Sequence, residues 1–391
     1  MRSYLESHPW ITFEATDIND LGAKTWMLLG EARSKCEHLA GVPLPPEVAK
    51  NFYTVALVKG AQATTAIEGN TLTEEQVAGI LDGSFKAPPS RAYQEREVRN
   101  VLEALQEIAD DVMRGSPRTI TEDLICEFNE RLLDGTEHEP DAVPGVVRDH
   151  AVAVADYRGA PAEDCDFLLG RLAEWLESDT FKSEDPEVGF ALAVVCAVYA
   201  HLYMAWLHPF GDGNGRTARL LEFLILARSG LAPLPAAHLL SNHYNLTRDQ
   251  YYRELAQASR SSSTVSFVTY AIRGFADGLR EQINQVRAVQ LQVAWVNYVH
   301  EVMNRFPSSP ARDRQRALVL AMPSDRDVPK SELPLLTPEL AAKYATTGPR
   351  TLSRDLNRLD RAELVRERRG GWSANHSIIA AFLPPVAESN S

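Results

Sequence analysis

The sequence predicts an all-α fold with one short β hairpin and a C-terminal module of different character. Three observations carry this. Apolar residues recur at three- and four-residue spacing through most of the 391 residues. One stretch, Pro144 to Pro161, instead carries a Val152-Ala153-Val154 alternation bounded by turn signals. The segment Pro310 to His376 holds 13 Lys or Arg against 9 Asp or Glu, a balance of +4 in a chain whose net charge is −13.

In chain order, the helical spacing runs through Leu21 to Leu39, Pro46 to Ala66, Thr73 to Leu81, Gln94 to Met113, Thr121 to Leu133, Glu163 to Leu176 and Glu187 to Leu207. Start signals agree with these spans: Thr73 with Gln76 forms a capping-box pattern, Thr121 precedes Glu122-Asp123, and Pro186 suits a first turn. Within Pro144 to Pro161, Val152-Ala153-Val154 lies between Pro-Gly and Gly-Ala-Pro signals, which fits an extended hairpin or a surface loop. After Pro233 and Pro235 the helices resume at Thr247 to Ser259 and again from Val265 to about Arg305. Pro307-Ser308-Ser309-Pro310 then marks the expected boundary. The expected regions are therefore 1–95, 96–305 and 310–383.

Composition limits the function classes. Apolar residues make up 45% and charged residues 24%, so the chain can bury ordinary cores. A net charge of −13 argues against nucleic-acid or acidic-membrane binding by the chain as a whole, though a basic subregion remains compatible with it. Cys36, Cys126, Cys165 and Cys196 form no CxxC pair, so neither a zinc site nor a disulfide framework is suggested. The N-terminal residues lack the apolar run of a signal peptide, and a cytoplasmic location is expected. Gly189 to Leu207 is apolar enough to be taken for a membrane span, but its content and the polar turn after it suit the central helix of a bundle, so no membrane partner is expected.

The residues that carry chemistry follow that helix, from His208 to Arg219 (HPFGDGNGRTAR). Asp212-Gly213-Asn214-Gly215 is a glycine-rich turn opening onto a helix, an arrangement that gathers backbone N–H groups into an anion cradle. Arg216 and Arg219 lie one turn apart and can grip successive phosphates, and Asp212 can hold Mg²⁺ bridging phosphate oxygens. His208 just before the turn can accept a proton from a hydroxyl near neutral pH.

The positions His208, Phe210, Asp212, Gly213, Asn214, Gly215, Arg216 and Arg219 make up the signature HxFxDGNGRxxR, and this sequence resembles the Fic family, which transfers AMP from ATP to protein hydroxyls. Ala205 departs from the acidic residue expected there. The resemblance implies a Fic helical core over about residues 20 to 290. It implies His208 as general base, Mg²⁺ on Asp212, the α-phosphate at Gly213, Asn214 and Gly215, the outer phosphates on Arg216 and Arg219, and Phe210 as a core anchor. The Gly215-Arg216 step argues against phosphate transfer of the Doc kind. Upstream, Thr64, Glu68 and Gly69 are similar to the family's inhibitory motif, implying that Glu68 pairs with Arg219 and blocks productive ATP binding; a role of Glu68 in removing AMP is a further implication. The hairpin then resembles the β flap over the active site. Val147 to Tyr157 would hold a target segment, with Arg148, Val152 and Val154 as its positioning residues.

In the C-terminal segment, Thr337 to Tyr344 reads as a helix, Arg350 to Leu364 as a second, and Val365 to Ser373 as strand-turn-strand, an order that resembles a winged helix-turn-helix. Arg350, Arg354, Arg358 and Arg361 share one helical face, diluted by Asp355, Asp360 and Glu363. The face suits DNA contact or a solvated packing helix. The expected function is a Mg²⁺- and ATP-dependent protein adenylyltransferase acting on an unidentified target protein. The alternative is a DNA-binding regulator using the core as a nucleotide sensor, and the C-terminal module also suits a homodimer or target-docking role.

Overall fold

The computed structural model describes residues 2–154 and 157–380. The chain divides into two compact units, Met1–Ile283 and Asn284–Ser391. The first is a helical bundle, with α1 Ala23–Gly41, α2 Pro46–Ala66, α3 Glu74–Asp82, α4 Ala92–Met113, α5 Glu122–Leu133, α6 Ala162–Leu176, α7 Pro186–Leu207, α8 Asn214–Arg228, α9 Leu239–Leu246 and α10 Arg248–Ser261. Helix α11, Val265–Asn304, contains the division between the units.

The caps behave as the side chains dictate. The Thr73 hydroxyl accepts from Gln76 N while Gln76 Oε1 accepts from Thr73 N, so two orphan donors of α3 are satisfied reciprocally. Thr121 Oγ1 accepts from Leu124 N, and the Asp185 carboxylate accepts from Glu187 N ahead of Pro186. Helix α7 is long and apolar enough to cross a membrane by composition, but 72% of its most apolar window is buried inside the bundle. It packs against α1, α6 and α8. That encirclement explains an apolar surface on all sides.

Residues 144–154 and 157–161 form a hairpin and not a plain loop. Strand β1 (Ala153–Val154) pairs antiparallel with β2 (Tyr157–Arg158), and Gly159 N donates to Val152 O. Its base is anchored by a bridge between Val147 and Phe210 and by Ala160 N donating to Leu207 O. Ala155 and Asp156 of the expected flap, and the Val154 side chain, lie outside the described residues.

The second unit contains α12 (Pro310–Ala321), α13 (Pro338–Ala345), α14 (Thr351–Arg361) and an antiparallel ribbon of β3 (Val365–Arg368) and β4 (Gly371–Ala374). Val328 makes an isolated bridge to Trp372. The expected order of helix, turn, helix and ribbon is present, preceded by α12, which the sequence reading missed. Ser309 caps it and Pro310 takes its first turn, while its apolar positions Leu318 and Val319 are hidden among arginines.

Two expected boundaries are corrected. The cut at 95/96 falls inside α4. The Pro307–Pro310 segment lies within the second unit, because Trp295, Val299 and Met303 of α11 share one apolar cluster with Leu318, Leu340, Leu356, Leu359 and Trp372. The prolines mark a turn inside one core, and residues 381–383 of the expected domain lie outside the described residues. Asp355 is also corrected: it is buried, and Arg314, Gln315 and Tyr344 all donate to its carboxylate, so it does not dilute a basic surface.

Candidate active site

Helix α7 stops at Leu207 because the next residue leaves the helical region: His208 adopts φ 48 and ψ 58. A left-handed non-glycine residue costs about 1–3 kcal/mol and persists only where its surroundings enforce it. Arg148 does so here. Its side chain is buried, Nε donates to His208 O at 2.7 Å, and the other guanidinium nitrogens donate to the carbonyls of His150, Ala160 and Leu207. Arg148 N adds a bond to Pro209 O. Arg148, expected as a positioning residue of the flap, clamps the hairpin base to the His208 backbone, and a Cβ at Gly159 would press on both Arg148 and His208.

The turn that follows is held from three sides. Asn214 Oδ1 accepts from Phe210 N and its Nδ2 donates to Phe210 O, so its side chain is committed to the turn and only its backbone remains for an anion. Gly213 takes φ 77, which favours glycine, and caps α8. Asn129 of α5 is fully buried; its Nδ2 donates to Asp212 O at 2.9 Å and its Oδ1 accepts from Gly145 N at 3.0 Å. Asn129 thus links the turn to the base of the hairpin, a role sequence reading missed because a lone helical Asn carries no motif.

Helix α8 aims both arginines into the same space. Arg216 Nη2 lies 3.2 Å from Asp212 Oδ1 and its Nη1 is 3.7 Å from Glu97 Oε1. Arg219 is 1% exposed, and its Nη2 donates to Thr64 O at 2.9 Å and to Glu68 Oε1 at 2.6 Å. Nε and Nη1 of both arginines have no hydrogen-bond partner among the described residues. Such buried donors suit an anion with several oxygens.

Glu68 reaches this point because α2 ends at Ala66 and the chain turns through Gly69 at φ 99. Thr64 contributes its carbonyl, and the Glu68 carboxylate lies directly over Gly215, where any Cβ would overlap it. Residues 64, 68, 208, 212, 216 and 219, from distant parts of the sequence, are therefore brought to one place, Thr64 through its carbonyl.

Electrostatics follow from burial. Desolvation pushes the His208 imidazole down to about 4, assisted by the charge of Arg148 and only partly offset by Glu68 and Asp212. Desolvation raises the Glu68 carboxyl, but the charge and hydrogen bond of Arg219, with Arg216 and His208, outweigh it and hold the carboxyl below its ordinary value. Behind Arg219 lies a second buried set: Tyr244 OH donates to Glu222, His201 Nε2 lies 2.9 Å from Tyr251 OH, and desolvation pushes the Glu222 carboxyl up to about 8.

The Fic/DOC family profile matches residues 119–226, the span that holds Asn129, the hairpin, His208 and both arginines. Protein adenylyltransferase Fic of Nematostella vectensis is 30% identical to this chain over 232 residues, covering 59% of this chain and 50% of that protein. Protein adenylyltransferase fic-1 of Caenorhabditis elegans is 31% identical over 198 residues, 50% of this chain and 35% of the relative. The chain thus spans half or less of the length of these curated relatives. Among solved structures, a Fic family protein from Desulfovibrio desulfuricans superposes with a TM-score of 0.54 at 22% identity, covering 90% of this chain and 95% of that one. A fragment of Caenorhabditis elegans Fic-1 gives 0.54 at 24% identity, over 68% and 74%. Both share the fold. In the first unit the anion turn, the hairpin base and α2 meet at His208 and Arg219.

Proposed function

We propose that this chain is a protein adenylyltransferase held inactive by its own Glu68. The observation that carries the reading is the pairing of Glu68 with Arg219 across the glycine turn that opens α8, beside the His208 imidazole. A hydroxyl of a target Ser, Thr or Tyr attacks the α-phosphorus of ATP. The new O–P bond forms as the α–β bridging bond breaks, pyrophosphate leaves, and the hydroxyl proton passes to a His208 ring nitrogen. The depressed pKa keeps that ring neutral and able to accept it. N–H groups at the start of α8 and the free donors of Arg216 and Arg219 stabilise phosphate charge.

Among the described residues no group of three or more His, Cys, Asp or Glu side chains could hold a metal ion. Asp212 offers one carboxylate with 27% of its side chain exposed. A single protein ligand fits Mg²⁺ that takes its remaining oxygens from phosphates and water. Such an ion, when bound, would neutralise phosphate charge. Asp212 would hold it, and Arg216 would exchange its present carboxylate contact for phosphate.

Inhibition follows from competition: the Glu68 carboxylate takes the donor that an outer phosphate needs, and it lies over Gly215. Label transfer from α-labelled ATP with Mg²⁺, to the protein itself and to a cell lysate, tests this. Label should be faint with wild type, rise with Glu68→Gly and vanish with Glu68→Gly combined with His208→Ala. Equal labelling of wild type and Glu68→Gly would remove the inhibitory role, and no label from any variant would overturn the transferase reading.

A further inference from the structure

Packing fixes which way each side of α14 faces in the second unit. Asp355, Leu356 and Leu359 are buried, with Asp355 held by Arg314, Gln315 and Tyr344. On the opposite side Arg350, Arg354, Asn357 and Arg361 are exposed. Their spacing of four, three and four places them on one face of a helix and over about 16 Å of its length. None of the three arginines has an ion-pair or hydrogen-bond partner among the described residues. The nearest helical carboxylate, Asp360, points about 90° away at 100° per residue. Arg358 departs from the expected set, because it is half-buried with its guanidinium stacked 4.3 Å over the Phe306 ring. Asn357 stands on the outer face in its place, beside Arg361.

Three residues after α14 the ribbon begins, and its turn presents Arg368 and Arg369 to solvent. The unit therefore offers a convex helical ridge bearing arginines and one asparagine, next to a basic ribbon tip. No large apolar side chain interrupts the ridge, so it lacks the buried anchor that a protein-docking face requires. A helix is as wide as the major groove of B-form DNA, where Arg matches the O6 and N7 acceptors of guanine and Asn matches the N6 and N7 of adenine. The deep, narrow major groove of RNA helices does not admit such a ridge.

We propose that the second unit binds duplex DNA, with α14 in the major groove reading base edges through Arg354, Asn357 and Arg361, and with Arg368 and Arg369 of the ribbon on phosphates. The overall charge of −13 does not oppose this, since the segment 310–376 holds a balance of +4 of its own. Asp355 is neutralised inside the unit.

The test uses the full chain without nucleotide, so its failure leaves the transferase reading untouched. Fluorescence anisotropy with a labelled 24-base-pair random-sequence duplex is measured from about 50 to 200 mM salt, and a randomised duplex pool is carried through selection and sequencing. Wild type should bind with affinity that falls steeply with salt, and should enrich a sequence containing guanine and adenine steps. A triple variant Arg354→Ala, Asn357→Ala, Arg361→Ala should bind the enriched site about tenfold or more weaker. Arg368→Ala with Arg369→Ala should weaken all sequences alike and reduce the salt slope by about one per arginine. Arg305→Ala, an exposed arginine paired with Glu301, should change nothing. Circular dichroism verifies that each variant is folded. Absence of binding at about 50 mM salt, or equal binding by wild type and the triple variant, would overturn the proposal. Binding without any enriched sequence, displaced equally by heparin, would reduce the face to a general polyanion surface and overturn the base-reading assignment.

Discussion

At His208, the backbone and the ring are governed by different neighbours. Arg148 fixes the left-handed backbone through carbonyl bonds, while burial holds the imidazole at about 4. Under the transferase reading, the acid limb of the rate profile should therefore not appear near 6.5. In the Glu68→Gly background the rate should stay level as pH falls from about 8 to about 5, since a depressed pKa keeps the ring neutral throughout. An acid limb centred near 6.5 would show that the ring is solvated in the working state. Asn129→Ala should remove three hydrogen bonds, to Asp212, Thr217 and Gly145, lower stability by about 1–3 kcal/mol and slow transfer more than it weakens nucleotide binding. Chemical denaturation and a nucleotide titration check both parts. Of the site residues, those inside the HxFxDGNGRxxR run were legible because the chemistry and the spacing coincide within twelve residues. Glu68 was legible only beside that run. Asn129, and the inward turn of Arg148 and Asn214, were not, because each acts through backbone atoms brought close by the fold.

The helices were legible wherever a capping residue and an amphipathic stripe agreed, as at Thr73 and Thr121. Helix α9 was missed because Pro233 and Pro235 read as a break, although they sit at the cap and first turn of the one-turn helix Leu234–Ala237. Helix α7 carries the heaviest packing. Leu202 is fully buried within it, and Leu202→Ala should cost about 2–5 kcal/mol, read from chemical denaturation. In the hairpin, Ala153 and Arg158 are paired next to Val152 and Gly159, which share a hydrogen bond, so alternation turns the Ala153 N–H outward along the free side of β1. If a target segment joins the hairpin by strand addition, Ala153→Pro should raise the KM for the protein target while leaving ATP affinity unchanged. Steady-state kinetics with target and ATP varied separately distinguish the two.

On the scale of the whole molecule, the sequence revealed two regions of different charge but misplaced their border, because α11 contributes residues to both apolar clusters and a proline-serine turn imitates a linker. The first unit also encloses several ionisable groups held neutral by desolvation. His201 is held well down by burial, His208 lies at about 4, and burial pushes His238 down to about 3, while burial raises Glu222 to about 8. Between about pH 4.5 and 6.5 the three histidines take up protons only on unfolding, and Glu222 gives one up. The net uptake of about two protons from these four groups makes stability fall as pH falls through that window. A series of melting temperatures across it should decline towards acid, and a flat series would show that these groups are solvated.

If the grip of Glu68 on Arg219 is inhibitory, as proposed, it also inverts the usual direction of genetic damage. Random substitutions mostly loosen structure, and in an ordinary enzyme loosening lowers output. Under that reading the Glu68 carboxylate sits just past the end of α2, held in place by that helix and the Gly69 turn, so a lesion that frays α2 would free the phosphate site instead. A lineage carrying this gene would then face selection against weakened forms because they do too much, and α2 should tolerate substitution poorly on that ground as well as for the residues it buries.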